Sequence, residues 1–310
     1  MRVVVAIGGN ALIQAGDDGS WDRQLKNARA IAGDVVALRA AGHEIVLTHG
    51  NGPQIGSLML QQEGGETPPL PLDALIAMTQ GQTGYLLATA IADVDPDVST
   101  VALLTRVVVD PDDPAFATPT KPVGPFYEAG EAARLASEHR WHVAEDAGRG
   151  WRRVVPSPRP LRVLGAEHTS ALLGTGAVVI AVGGGGIPVA ADGRGVHGVI
   201  DKDRASAELA LEIGADLLVL LTGVPRVAVD FGTRWERELE RLTVSEALRG
   251  LADGEFPAGS MGPKIESAQR FVEAGRGRAV ITTAGRLAAA VDGEDGTWVV
   301  ADFERAAVSA

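Results

Sequence analysis

Lysine is scarce in this chain, and its positions suggest a use. Four lysines occur, and three of them, Lys121, Lys202 and Lys264, lie in stretches marked by proline, glycine or aspartate that read TPTKPVGP, VIDKD and SMGPK. The fourth, Lys26, falls in a predicted helix, where we expect a solvated surface charge. A lysine ammonium group is a compact point charge, which suits the binding and transfer of phosphoryl groups. Each of the three alone is more simply a surface residue, but together they indicate an anion site.

Two aspartates flank Lys202. Asp201 and Asp203 could bind a metal, hold lysines in place or cap the helix predicted to follow, and capping is the simplest role for Asp203. The six histidines form no metal-ligand pattern, and the chain has neither a G-x-x-x-x-G-K-S/T loop nor a serine nucleophile elbow. The sequence therefore leaves the metal ligands, if any, unknown.

Glycine-bearing loops follow three short apolar runs that we predict to be strands. The loops begin at Gly8, at Gly50 and at Gly183, where four consecutive glycines occur. Exposed backbone amides at such loops can line a phosphate oxygen. Four glycines could also form a flexible connector, and Pro188 breaks the dinucleotide-binding fingerprint. Because ligands gather at the carboxyl ends of parallel strands, we expect the three loops to share one site.

The stretch from Val178 to Val224 organises the prediction of the fold. It holds two buried-type runs, Val178–Val182 and Leu217–Leu221, separated by the glycines and an alanine-rich helix, which predicts a βαβ unit. Further strands are predicted over Val3–Ile7, Ile45–Thr48, Val101–Val109, Ala279–Thr282 and Thr297–Val300. Helices are predicted over 20–41, over 72–92, after a capping box at Thr243 and from 259–264 to about Ala274. This alternation predicts a mainly parallel sheet covered on both faces.

The segment from Asp110 to Pro160 has a different texture. Prolines cluster at both of its ends, as in a linker, but it also contains Phe116, Phe126, Tyr127, Trp141 and Trp151. So many aromatic residues are not typical of a disordered tether. We predict a small folded excursion from the main sheet that resembles a lid.

Composition excludes several classes of protein. The 310 residues include 28 Lys and Arg against 40 Asp and Glu, a formal net charge of −12, which argues against nucleic acid or an anionic membrane as a partner. The absence of cysteine excludes disulfides, thiol catalysis and cysteine-based metal clusters. No segment reaches the roughly 18 apolar residues of a spanning helix. We expect a soluble, cytoplasmic protein.

A series of motifs, taken in order, makes the chain resemble the carbamate kinases of the amino acid kinase superfamily. The motifs are AIGGNAL, THGNGPQIG, TQGQTGY, VVVDPDDPAF with PTKPVGPFY, DAGRGWRRVVPSP, VGGGGIPV, VIDKD and SMGPK, and they extend from about Val3 to Thr283. Each motif is weak alone, whereas the ordered set is specific. Related acyl-phosphate kinases commonly carry lysine in the first glycine loop, where this chain has Asn10. The resemblance implies that Lys121 supplies the missing charge.

The resemblance implies an α/β fold, a three-layer αβα sandwich around a mainly parallel sheet with a small protruding subdomain. It implies an amino-terminal lobe over 1–175 for carbamate or carbamoyl phosphate, with the lid-like subdomain at 111–160, and a carboxyl-terminal lobe over 176–310 for ATP or ADP. The implied reaction is ATP plus carbamate to ADP plus carbamoyl phosphate, with Mg²⁺ accompanying the nucleotide. A homodimer is also implied. In the cell the reaction is expected to run towards ATP during arginine breakdown.

Three sets of residues are assigned to this site. The catalytic set comprises Lys121, Lys202, Lys264 and Asp203, of which the aspartate positions lysines and takes no proton. The substrate- and phosphate-binding set comprises Gly8, Gly9, Asn10, Gly50, Asn51, Gly52, Gly183 and Gly184. The nucleotide-binding set comprises Asp201, Thr222, Gly223, Val224, Met261 and Gly262.

One departure from the family pattern and two alternatives remain. Where the family usually reads Thr-Asp-Val, this chain has Gly223 between Thr222 and Val224, which leaves the detail of the nucleotide contacts open. The first alternative is another acyl-phosphate-forming kinase of the same fold that acts on a different small carboxylate or a phosphonate. The second is a non-catalytic nucleotide sensor.

Overall fold

Strands and helices alternate along most of the computed structural model, which describes residues 1–305 apart from positions 15, 64, 66, 147, 149, 258 and 276, and apart from the side chains at 10, 63, 304 and 305. The strands are β1 Arg2–Ile7, β2 Glu44–His49, β3 Thr100–Ala102, β4 Arg106–Val109, β5 Lys121–Tyr127, β6 His142–Glu145, β7 Trp151–Val155, β8 Pro160–Val163, β9 Val178–Ile180, β10 Ile187–Val189, β11 Leu217–Thr222, β12 Val227–Val229, β13 Arg237–Leu239, β14 Arg241–Thr243, β15 Arg278–Thr283 and β16 Thr297–Val300. The helices are α1 Gly9–Leu12, α2 Trp21–Ala40, α3 Gly52–Glu63, α4 Leu72–Val94, α5 Ala129–His139, α6 Ala166–Leu173, α7 Lys202–Glu212, α8 Val244–Ala252, α9 Met261–Glu273 and α10 Leu287–Val291.

An eight-stranded sheet forms the centre of the molecule. Its strand order is β14-β16-β15-β11-β1-β2-β9-β3, and its neighbours are parallel except for β15 and β16. The prediction of a mainly parallel sheet is therefore confirmed. The sheet runs without a break across residues 175 and 176, since β9 pairs with both β2 and β3. The division into two lobes at that point stays a prediction.

Alternate residues of β1 face opposite layers of helices, as the pleat of a strand requires. Val4 and Ala6 belong to a core cluster that includes side chains of α6, α7, α8 and α9. Val3 and Val5 belong to a second cluster, which includes side chains of α2, α4 and α10. Burial on both faces explains why the strand is apolar throughout. The αβα sandwich predicted from the sequence is confirmed.

The βαβ prediction for Val178–Val224 is wrong in its connections. The two apolar runs do form β9 and β11, parallel strands of the main sheet, but β2 and β1 lie between them. The glycines lead into β10, which pairs with β4 in a separate three-stranded sheet, β10-β4-β8. Helix α7 starts only at Lys202. The chain therefore leaves the main sheet after β9, adds a strand to the smaller sheet and returns to the main sheet only at β11, after helix α7.

The single strand predicted over Val101–Val109 is two strands in two different sheets. Residues Thr100–Ala102 form β3 in the main sheet, whereas Arg106–Val109 form β4 in the smaller one. Between them Thr105 uses its backbone amide and carbonyl to bind the side chain of Gln80. The side chain of Gln80, from helix α4, therefore occupies the backbone groups of Thr105 between the two strands. An apolar sequence pattern gives no sign of such a contact.

The predicted excursion is a folded subdomain. Strands β5, β7 and β6 form an antiparallel sheet, and Tyr127 packs with residues of α5 and with Trp141 and Trp151. A further cluster joins Val123 and Val155 of this sheet to residues of α3 and α4. The subdomain is thus packed against the helix that follows the second glycine loop. Its action as a lid stays a prediction.

Several local predictions are confirmed with small shifts of boundary. Thr243 and Glu246 form the predicted capping box of α8, with both reciprocal hydrogen bonds present. Helix α2 occupies the predicted segment, with Ser20 at its start, and Lys26 is exposed on it. Among the described helices, none combines the length and the apolar content needed to cross a bilayer.

Candidate active site

Three glycine loops meet at the carboxyl ends of the central strands. The register of β1 and β2 places Ile7 beside His49, and the amide of Gly50 donates to the carbonyl of Ile7 at 2.9 Å. A Cβ atom added to Gly50 would lie 2.9 Å from the Gly9 nitrogen and 3.1 Å from Cδ of Lys202. The first two loops are therefore in direct contact, and the chain of Lys202 lies against them.

The third loop, at 183–186, packs against the second. It is buried throughout, so the flexible-connector interpretation is wrong. At Gly184 the backbone has a φ of 65°, and an added Cβ would lie 2.1 Å from Nδ2 of Asn51. An added Cβ at Gly183 would lie 2.4 Å from Nε2 of His49. Only glycine fits at these two positions.

The loops differ in which amides they leave unpaired. The amides of Gly8, Gly9, Gly183 and Gly184 have no backbone or side-chain acceptor within the described part of the chain. Gly52 is the first residue of the 12-residue helix α3, where an N–H group has no partner inside the helix. By contrast, the amide of Gly50 donates to the carbonyl of Ile7, so it is not available to a ligand. Gly50 instead lets the first two loops lie close together.

The two assigned asparagines have different outcomes. The side chain of Asn51 is buried, and its Nδ2 atom donates to Oγ1 of Thr79 at 2.8 Å, so it fixes the loop in place. Asn10 lies in α1, but its side chain falls outside the described part of the structure. The assignment of Asn10 to substrate binding stays a prediction.

Two of the loop lysines share one carboxylate. Nζ of Lys202 lies 2.5 Å from Oδ1 of Asp203, and Nζ of Lys264 lies 2.8 Å from Oδ2 of the same residue. The side chains are 13%, 9% and 5% exposed for Lys202, Lys264 and Asp203. Helices α7 and α9 thus bring two cations from 62 residues apart in the sequence to a single buried point beside the glycine loops.

The third loop lysine reaches the neighbouring aspartate. Nζ of Lys121, at the start of β5, lies 2.7 Å from Oδ2 of Asp201, and the lysine side chain is 33% exposed. The other oxygen, Oδ1, accepts from the amides of Asp203 and Arg204 and so caps α7. The helix cap is therefore Asp201, and the simplest role considered for Asp203 is wrong, because Asp203 holds lysines.

Burial and charge set the proton affinities in this cluster. Burial, with the nearby charge of Lys264, outweighs the attraction of Asp203 and lowers the pKa of Lys202 to about 8. Burial also acts to lower the pKa of Lys264, but the charge and hydrogen bond of Asp203 outweigh it and raise that pKa. Burial acts to raise the pKa of Asp201, and Lys121 reverses this, so the Asp201 carboxyl titrates well below its usual range.

His49 does not carry the chemistry of an acid or a base. It is buried beneath Gly183, and burial lowers the pKa of its imidazole to about 4 despite a contact between Nδ1 and the Gly50 carbonyl. The ring is therefore neutral near pH 7. The cluster and the unpaired amides together can hold and stabilise negatively charged groups without a proton-transfer residue.

The residues assigned to nucleotide binding lie at three places: the end of β11, the start of α9 and, for Asp201, the cap of α7. Thr222 ends β11 beside Thr283 of β15, and an added side chain at Gly223 would meet no atom within 4 Å. Met261 and Gly262 begin α9, three and two residues before Lys264, and the Gly262 amide donates to the carbonyl of Pro257. Their contacts with a nucleotide, like those of Val224 and Asp201, stay predictions.

Sequence reasoning missed the side chains that hold the loops together. Thr79 and Gln80, in the TQGQTGY motif, are both buried in α4, and Gln80 binds Thr105 and Gly183. They follow Ile76 by three and four residues, so they lie on the buried face of α4, which is mostly apolar and includes Leu75 and Ile76. Polar residues inside such a stripe were the available signal.

No metal centre is preformed in the described part of the chain. Among those residues no group of three or more histidine or acidic side chains is close enough to hold an ion. The acidic groups beside the glycine loops, Asp201 and Asp203, are each paired with lysine.

Comparisons with known proteins agree with the motifs. The sequence profile of the amino acid kinase family matches residues 1–283. A carbamate kinase from Pyrococcus furiosus is 45% identical, over 96% of this chain and 99% of its own length. One from Halobacterium salinarum is 46% identical, over 96% and 97%. The solved structure of a carbamate kinase from Giardia lamblia bound to AMP-PNP superposes with a TM-score of 0.88 at 40% identity, covering 97% of this chain and 98% of that one.

These similarities define a kinase with the amino acid kinase fold. The chain therefore belongs to the amino acid kinase family and, within it, to the carbamate kinases.

Proposed function

We propose that the protein catalyses reversible phosphoryl transfer between ATP and carbamate, forming ADP and carbamoyl phosphate. One observation carries the proposal: Lys202 and Lys264 meet on a single buried carboxylate where three glycine loops converge. The names of the relatives supply the acceptor, since they are carbamate kinases. The Giardia structure, bound to an ATP analogue, supports a nucleotide as the donor.

The reaction makes little demand on a general acid or a general base. A carboxylate oxygen of carbamate attacks the γ-phosphorus, a new O–P bond forms, the bond to the β-phosphate oxygen breaks and ADP leaves. Carbamate is already an anion, so no proton must be removed, in keeping with the neutral His49. The obstacle is repulsion, because two unit charges 4 Å apart repel by about 4 kcal/mol at an effective dielectric of 20.

The lysine cluster is suited to offset that repulsion. Lys202 and Lys264 supply cations from the sandwich, Lys121 supplies one from the protruding subdomain, and Asp203 keeps the first two in place. The unpaired amides of the glycine loops add donors for phosphoryl oxygens. Such groups stabilise the transition state only if they are fixed before the reaction, which burial of the cluster favours.

Magnesium belongs to the nucleotide in this scheme. Because Asp201 and Asp203 are paired with lysine, the described residues do not fit a resident ion with a full set of protein ligands. Mg²⁺ commonly keeps waters and substrate phosphates as ligands. The ion would thus enter as part of the substrate, with the phosphates of the nucleotide as ligands.

In the cell we assign the enzyme to ATP synthesis from carbamoyl phosphate during arginine breakdown, as the family resemblance implies. Growth on arginine as the energy source tests this role. A deletion strain should lose that growth, and the wild-type gene should restore it. Undiminished growth of the deletion strain would refute the role.

The decisive assay starts from ADP and carbamoyl phosphate and follows ATP, with and without Mg²⁺. ATP formation excludes a non-catalytic sensor. In the forward direction, ADP release with carbamate is compared with release with acetate, glutamate and a small phosphonate, and preference for another acceptor would favour a different acyl-phosphate kinase. Lys26→Ala, which changes an exposed lysine in the second turn of α2, is the matched control for Lys202→Ala and should keep full activity.

We also propose a homodimer formed through the outer face of α2 and α4. The rings of Trp21 and Tyr85 stack there with centroids 5.6 Å apart, yet Tyr85 is 66% exposed and Met78, two turns earlier on α4, is 47% exposed. Light scattering after size exclusion should give about twice the 32.1 kDa of one chain. Tyr85→Glu should shift the protein to monomer, and a wild-type monomer would refute the proposal.

A further inference from the structure

The third glycine loop begins at a residue in an unfavourable backbone conformation. Val182 has a φ of 54° and a ψ of 35°, in the left-handed region, and its side chain is fully buried. For a β-branched residue this conformation is a genuine outlier. Gly184, Gly185 and Gly186, which follow, also have positive φ angles. Neighbouring groups must therefore hold the loop in this shape.

Two side chains outside the loop make the contacts that hold it. The hydroxyl Oγ1 of Thr105 accepts from the Val182 amide at 3.0 Å. Nε2 of Gln80 donates to the carbonyl of Gly183 at 2.8 Å. One contact fixes the strained residue, and the other fixes the first glycine after it.

The same two residues are bound to each other, through the side chain of Gln80 and the backbone of Thr105. Oε1 of Gln80 accepts from the Thr105 amide at 2.7 Å, and Nε2 also donates to the Thr105 carbonyl at 3.1 Å. The Thr105 carbonyl accepts in addition from the Ile187 amide, at 2.9 Å, on the far side of the glycines. The segment between β3 and β4 thus spans both ends of the loop, and Gln80 ties that segment to α4.

Burial makes these hydrogen bonds costly to lose. Gln80 is 3% exposed and Thr105 is 4% exposed. A donor or acceptor left unpaired in such surroundings pays its full desolvation penalty, because water does not replace the partner. The strained conformation of the loop therefore depends on the hydrogen bonds made by Gln80 and Thr105.

We propose that Gln80 and Thr105 are positioning residues that fix the loop at 183–186 in the one shape that leaves the amides of Gly183 and Gly184 unpaired for a phosphoryl group. The inference rests on the proposed function in one respect, since phosphoryl transfer is the step that uses those amides. Donors placed in advance act mainly on the transition state, so loss of position lowers kcat more than it raises KM.

The first test uses a matched pair at one position. Thr105→Val removes the hydroxyl with little change of shape, whereas Thr105→Ser keeps it. Hydrogen exchange of the peptide covering residues 178–190, followed by mass spectrometry, should become at least tenfold faster in Thr105→Val and stay near wild type in Thr105→Ser. This measurement needs no substrate, so it remains decisive even if the protein proves inactive on carbamate.

The second test separates kcat from KM. Gln80→Met keeps the length of the side chain but removes its donors and acceptor. In the ATP-forming assay it should lower kcat by about 10² while the KM for ADP changes less than threefold. Gln269→Met is the control, because Gln269 is also buried in a helix, yet its amide donates to Glu273 one turn along that same helix. It should retain wild-type kcat.

The outcomes are distinguishable. Unchanged exchange in both Thr105→Val and Gln80→Met overturns the inference, whatever the activity of the wild type. Faster exchange with an unchanged kcat in an active enzyme also overturns it, since the loop would then have moved without consequence. Should Gln80→Met fail to fold, Thr105→Val alone decides by both measurements. Failure of the proposed function appears separately, as absence of ATP formation by the wild type.

Discussion

The two lysine–aspartate arrangements of the site differ in what they join. Lys202 and Lys264 bind Asp203 from helices that both belong to the sandwich, and these side chains are 13% and 9% exposed. Lys121 binds Asp201 from the protruding subdomain, and it is 33% exposed. The first arrangement is part of the core, whereas the second connects two parts of the molecule. Lys202 and Lys264 therefore stay at the site whatever the position of the subdomain, whereas a displacement of the subdomain would remove Lys121.

The largest effect is expected when the two aspartates are compared directly. Asp203→Asn leaves two buried ammonium groups side by side without a carboxylate, so the free energy of unfolding should fall by about 3–5 kcal/mol. Turnover should fall by about 10³, the upper end of the scale for loss of one preorganised donor, because two lysines lose their common anchor. Asp201→Asn should cost far less, because asparagine still caps α7. Urea unfolding gives the free energy of unfolding of both variants, and steady-state kinetics gives their kcat. Equal losses in the two variants would contradict the difference between the two aspartates.

Among the lysines, Lys202→Ala should lower kcat by roughly 10²–10³, the scale for loss of one preorganised donor. Lys121→Ala should lower it by about tenfold, because a partly exposed charge acts through a higher effective dielectric. Steady-state kinetics with saturating ADP and carbamoyl phosphate separates the two. Near-normal turnover of Lys202→Ala would remove this residue from the mechanism.

A smaller effect is expected from pH. Burial lowers the pKa of Lys202 to about 8, so the ammonium group is charged below that pH and neutral above it. If the charged form is the active one, kcat/KM in the ATP-forming direction should fall about tenfold per pH unit above pH 8. Lys202→Arg should move this fall to higher pH, since a guanidinium group keeps its proton. Lys121→Ala should leave it where it is, and a profile that stays flat to pH 10 would contradict the assignment.

The smallest effect concerns the stability of Lys121→Ala. The pair it breaks is partly solvated, so the free energy of unfolding should stay within about 1 kcal/mol of wild type. Circular dichroism during urea unfolding measures this. Loss of folded protein would mean that the subdomain contact is required for the fold.

The fold was predictable where a pattern acts locally. The continuous apolar run of β1, the spacing of α2 and the capping box at Thr243 each depend on neighbours in the chain. The order of strands was not predictable, because it depends on pairings between distant segments such as β9 with β2. The break at Thr105 was missed for a related reason, since its cause is the side chain of Gln80, 25 residues away.

The charged residues of the site were predictable from the sequence, but the residues that hold the glycine loops in place were less so. Rarity made Lys121, Lys202 and Lys264 visible, and the structure brings two of them to one carboxylate and the third to its neighbour. The roles of Asp201 and Asp203 could not be separated by sequence, because either residue can precede a helix. Gln80 lies inside a helical stripe, where its partners cannot be read from spacing.

The distribution of amines has a practical consequence for handling the protein. Three of the four lysines are engaged in ion pairs, while Lys26 is exposed on α2. Reagents that acylate amines reach exposed amino groups first, so Lys26 should be modified before the paired lysines. A fluorophore attached under mild conditions would therefore sit on α2 and leave the three paired lysines unmodified.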